Sequence, residues 1–144
     1  LSAYDDRVAA AAGNCGGAFL RHNPGGEAWG RDRWDIYLKH IRPGLLSGTL
    51  PPIDFHEIMA LIAPRPFLDL SALNDGNPLT QRQRLLMLMR VMDVYELEQV
   101  PENFAFYVHG RGHSVAHESR ELLYGWLDTH LKPAETTATR LVAE

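Results

Sequence analysis

The chain has 144 residues, enough to bury a core within one domain. Its 45% hydrophobic and 22% charged content is that of an ordinary globular protein, and a net charge of -4 removes any electrostatic case for nucleic acid or an anionic membrane surface. The one cysteine, Cys15, excludes an intramolecular disulfide framework and a cysteine-rich zinc site, and no apolar run approaches the length of a membrane span.

Leu1 to Asp6 reads as the last turn of a helix. The chain starts without Met, so it reads as cut, and a targeting segment is not judged from it. Residues 8–12, set between Arg7 and a glycine-rich stretch, read as a strand buried on both faces. Gly16 to Gly30 reads as loop. Arg31 to Ile41 has Trp34, Leu38 and Ile41 at helical spacing. Arg42 to Ile53, with three prolines and two glycines, reads as loop. Asp54 followed by Glu57 is a capping-box pattern for a short helix over Phe55 to Ile62.

Pro64 and Pro66 stop that helix, because proline lacks an N–H and restricts the residue before it. Phe67 to Leu73 then reads as a buried strand, and Asn74-Asp75-Gly76-Asn77-Pro78 as a turn. Leu79 to Met92 is the clearest helix, with Leu85, Leu86, Leu88, Met89 and Met92 as its expected buried stripe. Phe104 to His109 reads as a third strand, followed by Gly110-Arg111-Gly112 and His113. Ser114 is the expected cap of a last helix that ends near Leu131, with Val115, Leu122, Leu123, Trp126, Leu127 and Leu131 on its apolar face. Alternating strands and helices predict an α/β fold with a parallel sheet. The expected domain covers residues 1–132, and the Thr/Ala/Glu-rich residues 133–144 read as a disordered tail. Three strands are few for such a sheet, so the chain reads as the C-terminal part of a larger domain, with a sheet edge open to self-association.

In open α/β sheets, ligands bind beyond the carboxyl ends of the strands. Asp75 follows one strand and His113 follows the next, which is the spacing of the acid and base of a nucleophile–base–acid relay. Asp69 is a rival acid, but it lies mid-strand. His109 reads as structural and His56 as packing, while Trp29 and Trp34 either line a pocket or only bury apolar area. His113 and His117 stand four apart, yet no H-E-x-x-H glutamate accompanies them, and no metal or cofactor is assigned. Gly13-Asn14-Cys15-Gly16-Gly17 fits G-x-C-x-G, and Cys15, Asp75, His113 run in the order of a hydrolase triad. Against that reading, Asn23-Pro24-Gly25-Gly26 interrupts the helix that a nucleophile elbow must lead into.

Four stretches carry a resemblance: D-D-R-V-A-A-A-A-G-N-C-G-G at 5–17, D-F-H-E-I-M-A-L-I-A-P-R-P at 54–66, N-D-G-N-P at 74–78 and G-R-G-H-S at 110–114. With them the chain resembles the C-terminal part of an α/β-hydrolase, close to the dienelactone-hydrolase-like and acetyl-xylan or glucuronoyl esterase-like groups. The resemblance implies that 8–12, 67–73 and 104–109 are the sixth, seventh and eighth strands, that His113 is the triad base and that Asp75 is the acid. Some glucuronoyl esterases take their acid from an earlier strand. The G-x-S-x-G elbow has no counterpart among Ser2, Ser47, Ser71, Ser114 and Ser119. The expected function is therefore the acid-and-base segment of a serine carboxylic ester hydrolase, inactive alone, acting on a small-molecule or carbohydrate ester. Two rivals stand beside it: a small cysteine hydrolase using Cys15, and a non-catalytic α/β interaction module.

Overall fold

A computed structural model describes residues 1–17, 19–21, 39–75 and 78–132, with the backbone alone for 78–80. Three parallel strands form one sheet in the order β1 (Ala11–Asn14), β2 (Phe67–Ala72), β3 (Phe104–His109). Among the described residues, five helical segments accompany them: α1 (Arg42–Leu46), α2 (Phe55–Ala60), α3 (Pro78–Leu97), a 3-10 turn (Pro101–Asn103) and α4 (His117–Leu131). Ala11 lies opposite Phe67 and Asn14 opposite Leu70, while Phe67 to Ala72 pair with Phe104 to His109. All six residues of the central strand β2 are buried, as its apolar sequence predicts.

The first strand begins three residues later than its sequence suggests. Residues 8–10 precede it, and Gly13 and Asn14 belong to it. The reason lies in Arg65. Its guanidinium donates to the carbonyls of Asp5 (2.8 Å), Val8 (3.1 Å), Ser2 (2.6 Å) and Leu61 (3.4 Å), which holds residues 2–8 in turns against the end of α2. The ladder starts only where the Ala11 N–H reaches the Pro66 carbonyl, at 2.9 Å. The A-P-R-P run is thus a clamp: Ala63–Pro64 is cis, the Tyr95 hydroxyl donates to the Arg65 carbonyl at 2.7 Å, and Asn103 Nδ2 donates to that of Pro64 at 2.8 Å. Arg65→Ala removes a charged donor from four carbonyls and should cost about 2 kcal/mol, read from the urea midpoint at unchanged slope.

Asp54 and Glu57 form the expected capping box of α2. Asp54 is fully buried and does more than cap. Its carboxylate also accepts the N–H groups of Leu20 (2.6 Å) and Arg21 (3.2 Å), fixing the chain just after β1. Arg21 completes the tie through Glu57 at 3.0 Å. His56 packs edge-on against Phe19 with ring centroids 5.0 Å apart, consistent with a packing role.

The α3 helix covers one face of the sheet. Phe19, Ile62, Phe67, Met87, Leu88, Val91, Tyr95 and Phe104 make the core there. The buried line of α3 is Gln81, Arg84, Met87, Leu88, Val91 and Tyr95, whereas Leu86 and Met89 are 41% and 51% exposed. Hydropathy alone rotates the stripe away from Gln81 and Arg84, since it assigns polar residues to solvent. These two are buried because backbone acceptors await them. The helix also extends past Met92, as Tyr95 anchors one more turn on Phe104 at a centroid distance of 5.2 Å.

On the opposite face α4 sits lightly. Only its Ser119 is buried, and Leu122, Tyr124 and Leu131 are exposed. It starts at His117 with Ala116 at its N-cap; Ser114 does not cap it but donates from Oγ to the Arg111 carbonyl at 2.7 Å. Residues 42–46, expected as loop, form the short helix α1, in which Pro43 sits in the first turn where its missing N–H costs nothing. The expected helix over 31–41 falls almost wholly outside the described residues, as do Trp29, Trp34 and the tail from 133. Among the described residues, no helix is long and apolar enough to cross a membrane.

Candidate functional site

All three strands end at one edge of the sheet, so the segments after them share one crevice. Asp75 follows β2, His113 follows β3, and Cys15 follows β1. His113 Nδ1 and Asp75 Oδ2 are 2.8 Å apart. That bond fixes the ring by one nitrogen and leaves Nε2 for another partner. The His113 side chain is 74% exposed, while Asp75 is 22% exposed. A base that opens to solvent above a more sheltered acid is the arrangement a proton relay needs. The hydrogen bond from His113 is the main cause that holds the Asp75 carboxyl below the usual carboxylate range; the positive charge of Arg84 adds to it, against a smaller opposing effect of burial. Asp75 is thereby anionic at neutral pH and can orient and stabilise an imidazolium.

Asn74 positions the pair, and nothing in the sequence reading gave it a role. Its Oδ1 accepts the Gly112 N–H at 2.6 Å and its Nδ2 donates to the Gly110 carbonyl at 2.9 Å. One side chain thus locks the turn after β2 to the turn after β3. Gly112 has φ +63°, a conformation in which glycine carries no Cβ penalty, and there its N–H reaches Asn74. Arg111 extends the lock to α4 through Glu118 at 2.7 Å.

Arg84 and Gln81 support the site from beneath. The Arg84 guanidinium donates to the Gly17 carbonyl (3.2 Å), the Ala72 carbonyl (3.2 Å) and Gln81 Oε1 (3.4 Å). Gln81 Nε2 in turn donates to the Asp75 carbonyl. Two side chains one helical turn apart therefore tie together the ends of β1 and β2 and the turn that carries Asp75. The sequence signal for them was their place on the line of Leu88, Val91 and Tyr95: polar residues in register with a buried stripe have buried partners.

Cys15 has φ +53°, so the chain turns through the left-handed region directly after β1. Its N–H still reaches the Leu70 carbonyl at 2.8 Å. One metal-ligating atom each from Cys15, Asp75 and His113 lie within 4.8 Å of one another. The turn therefore brings the thiol into the crevice, which the G-x-C-x-G pattern had left open. Burial is the main cause that pushes the thiol pKa up, and the negative charge of Asp75 adds to it, against a backbone hydrogen bond at Ala72 and the charge of Arg84. A neutral thiol facing a carboxylate is the opposite of an activated nucleophile.

Asp69 lies mid-strand and away from the crevice. It is buried, and its carboxylate accepts from Ser71 Oγ. Burial pushes its pKa up, with Ser71 and Arg84 opposing. A raised pKa means that the folded state holds this proton longer than the unfolded chain does. Stability is therefore lost as pH rises from the ordinary value, 3.8, through the folded-state value. Asp69→Asn should gain melting temperature relative to the parent across that rise, measured by thermal scans from about pH 4 to 7. His109 is buried at the end of β3, and its Nδ1 accepts the Arg111 N–H at 3.3 Å, a structural role. His117 faces Glu121 at 4.0 Å on α4.

The sequence matches no family model and no curated protein. Solved structures do match. A glucuronoyl esterase from Solibacter usitatus superposes with a TM-score of 0.71 at 19% identity over 91% of this chain and 38% of its own. The fold is that of the α/β-hydrolases. A carbohydrate esterase family 15 glucuronoyl esterase from Caldicellulosiruptor kristjansonii gives a TM-score of 0.65 at 22% identity, covering 90% of this chain and 39% of its own. A promiscuous esterase of the same family from a marine bacterial metagenome gives 0.66 at 22% identity, over 90% of this chain and 38% of its own. This chain thus spans about two fifths of the length of these esterases. At identities this low the superpositions show the fold alone, and the chemistry is argued from the side chains.

Proposed function

We propose that this chain supplies the base, His113, and the acid, Asp75, of a serine carboxylic ester hydrolase. The observation that carries the reading is the 2.8 Å bond between His113 Nδ1 and Asp75 Oδ2 at the carboxyl edge of an α/β-hydrolase sheet. In this reading a serine outside these 144 residues attacks the ester carbonyl. His113 takes the serine proton, gives it to the leaving alkoxide, and then activates the water that releases the acyl group. Asp75 keeps the ring in the tautomer that has a proton on Nδ1 and a lone pair on Nε2. Among the described residues, β1 is paired on one side only and the apolar side chains of α4 are exposed. In the same reading the rest of the hydrolase domain packs there, and the chain alone is inactive and self-associates. The substrate is an ester of a small molecule or of a carbohydrate.

The cysteine-hydrolase reading is favoured by one observation, the left-handed turn that brings Cys15 beside Asp75 and His113. The direction of the thiol pKa opposes it. Asp75→Asn tests the acid, and Cys15→Ala separates the two readings, in the protein that carries the serine. Asp75→Asn should lower kcat for an activated acetate ester by roughly a hundredfold or more, because it removes the charge that steadies the imidazolium. Cys15→Ala should keep kcat within about tenfold. A loss near a thousandfold in Cys15→Ala, with circular dichroism unchanged, would make the thiol the nucleophile.

A further inference from the structure

Three side chains at the crevice form a donor set whose chemistry goes beyond a proton relay. Among the described residues, Cys15, Asp75 and His113 are the one group of ligating side chains whose donor atoms all lie within 4.8 Å of one another. They come from three separate strand ends, so the sheet itself holds them together. Asp75 is tied through its backbone to Gln81, and the turn after β1 is tied to Arg84. His113, at 74% exposure, is the adjustable member. A tetrahedral zinc, with bonds of about 2.0 to 2.3 Å, spaces its ligands roughly 3.3 to 3.8 Å apart. The exposed ring can close the remaining distance. Thiolate, imidazole and carboxylate together suit a thiophilic d10 cation rather than magnesium or calcium, which select oxygen alone.

We infer that Cys15, Asp75 and His113 bind a thiophilic divalent cation of the zinc class, with a water in the fourth position, and that its binding shuts down the proton relay. On binding, sulfur forms a bond to the cation and its proton leaves to solvent. An imidazole nitrogen gives its lone pair to the cation, and Asp75 neutralises part of the charge. The His113 lone pair is then no longer available to take a proton from a nucleophile. The site itself rests on the donor geometry alone; the shutdown of hydrolysis rests on the esterase reading above.

The test is a titration of the full chain with cobalt(II), followed by displacement with zinc. The expected result is one cobalt per chain, with a thiolate-to-metal charge-transfer band in the near ultraviolet that zinc abolishes. Cys15→Ser should remove the band, and His113→Ala and Asp75→Asn should each weaken cobalt binding about tenfold or more. His117→Ala, on the neighbouring helix, should leave binding unchanged. Should Cys15→Ser fail to fold, alkylation of Cys15 in the unaltered chain gives the same answer: zinc should slow it at least about tenfold. Cobalt binding without the thiolate band, equal affinity in His113→Ala, or an alkylation rate indifferent to zinc each overturns the site. Hydrolysis is read separately in the protein that carries the serine, as inhibition by zinc that a chelator reverses. A chain that binds cobalt but belongs to no active esterase keeps the metal site and defeats the esterase reading. An active esterase indifferent to zinc keeps the esterase reading and overturns the shutdown of the relay.

Discussion

His113→Ala should lower kcat for an activated acetate ester at least about a thousandfold, with little change in KM, when measured in the protein that carries the serine. A serine hydroxyl at neutral pH is a weak nucleophile, and its proton must go somewhere as the bond to the carbonyl forms. In the proposed reading His113 is the base; its side chain is exposed at the crevice, and its ring lies 2.8 Å from Asp75. Binding of a small ester does not use the ring, which is why KM should hold. The double variant His113→Ala/Asp75→Asn should be no slower than His113→Ala, because Asp75 acts only through the ring. The acid limb of kcat/KM in the parent should not be set by Asp75 above about pH 4, since its pKa is depressed from 3.8 and it stays ionised there. Near-normal turnover in His113→Ala would remove the base assignment and leave the interaction-module reading ahead. Near-normal turnover in Asp75→Asn alone would move the acid to another strand and keep the base.

Much of the fold was legible because its signals are local. The prolines at 64 and 66, the mostly apolar run that became β2, and the Asp54–Glu57 box each depend on a few adjacent residues. The placing of Asp75 and His113 side by side was legible for the same reason: each stands directly after a strand that the sequence marks clearly. What stayed hidden depends on contacts distant in sequence. Arg65 reaches back 63 residues to the Ser2 carbonyl, and that contact moved the start of β1. Arg84 reaches 67 residues to the Gly17 carbonyl, and that contact turned the buried stripe of α3 away from its most hydrophobic line. Asn74 bonds Gly110 and Gly112 across two turns, while in sequence it is only one more turn residue. The thiol of Cys15 joins the crevice through a left-handed residue that a motif scan cannot see. In each case a polar group was read by its hydropathy, although its place was set by a backbone partner elsewhere.

Arg84→Met should be the most damaging substitution outside Asp75 and His113, and it should reach both stability and the titration of Asp75. Arg84 is 8% exposed, and its guanidinium serves the Gly17 and Ala72 carbonyls and Gln81. Methionine keeps most of the volume, so the loss is one of hydrogen bonds and charge rather than of packing. Leaving buried acceptors without a donor should cost roughly 3 kcal/mol, read as a lower urea midpoint. A purely structural role would stop there. Arg84 also lends positive charge to Asp75, so its removal should let the Asp75 pKa rise toward the ordinary carboxylate value. The Asp75 carboxyl resonance should then titrate at higher pH by NMR, while the limb of kcat/KM above about pH 4 stays in place. Arg84→Lys keeps the charge but not the fork of donors. It should restore the Asp75 titration while recovering only part of the stability. If both variants unfold at the same urea concentration as the parent, the bonds from Arg84 to the strand ends contribute nothing. If Arg84→Met loses stability but its Asp75 resonance titrates as in the parent, Arg84 holds the crevice together without tuning Asp75.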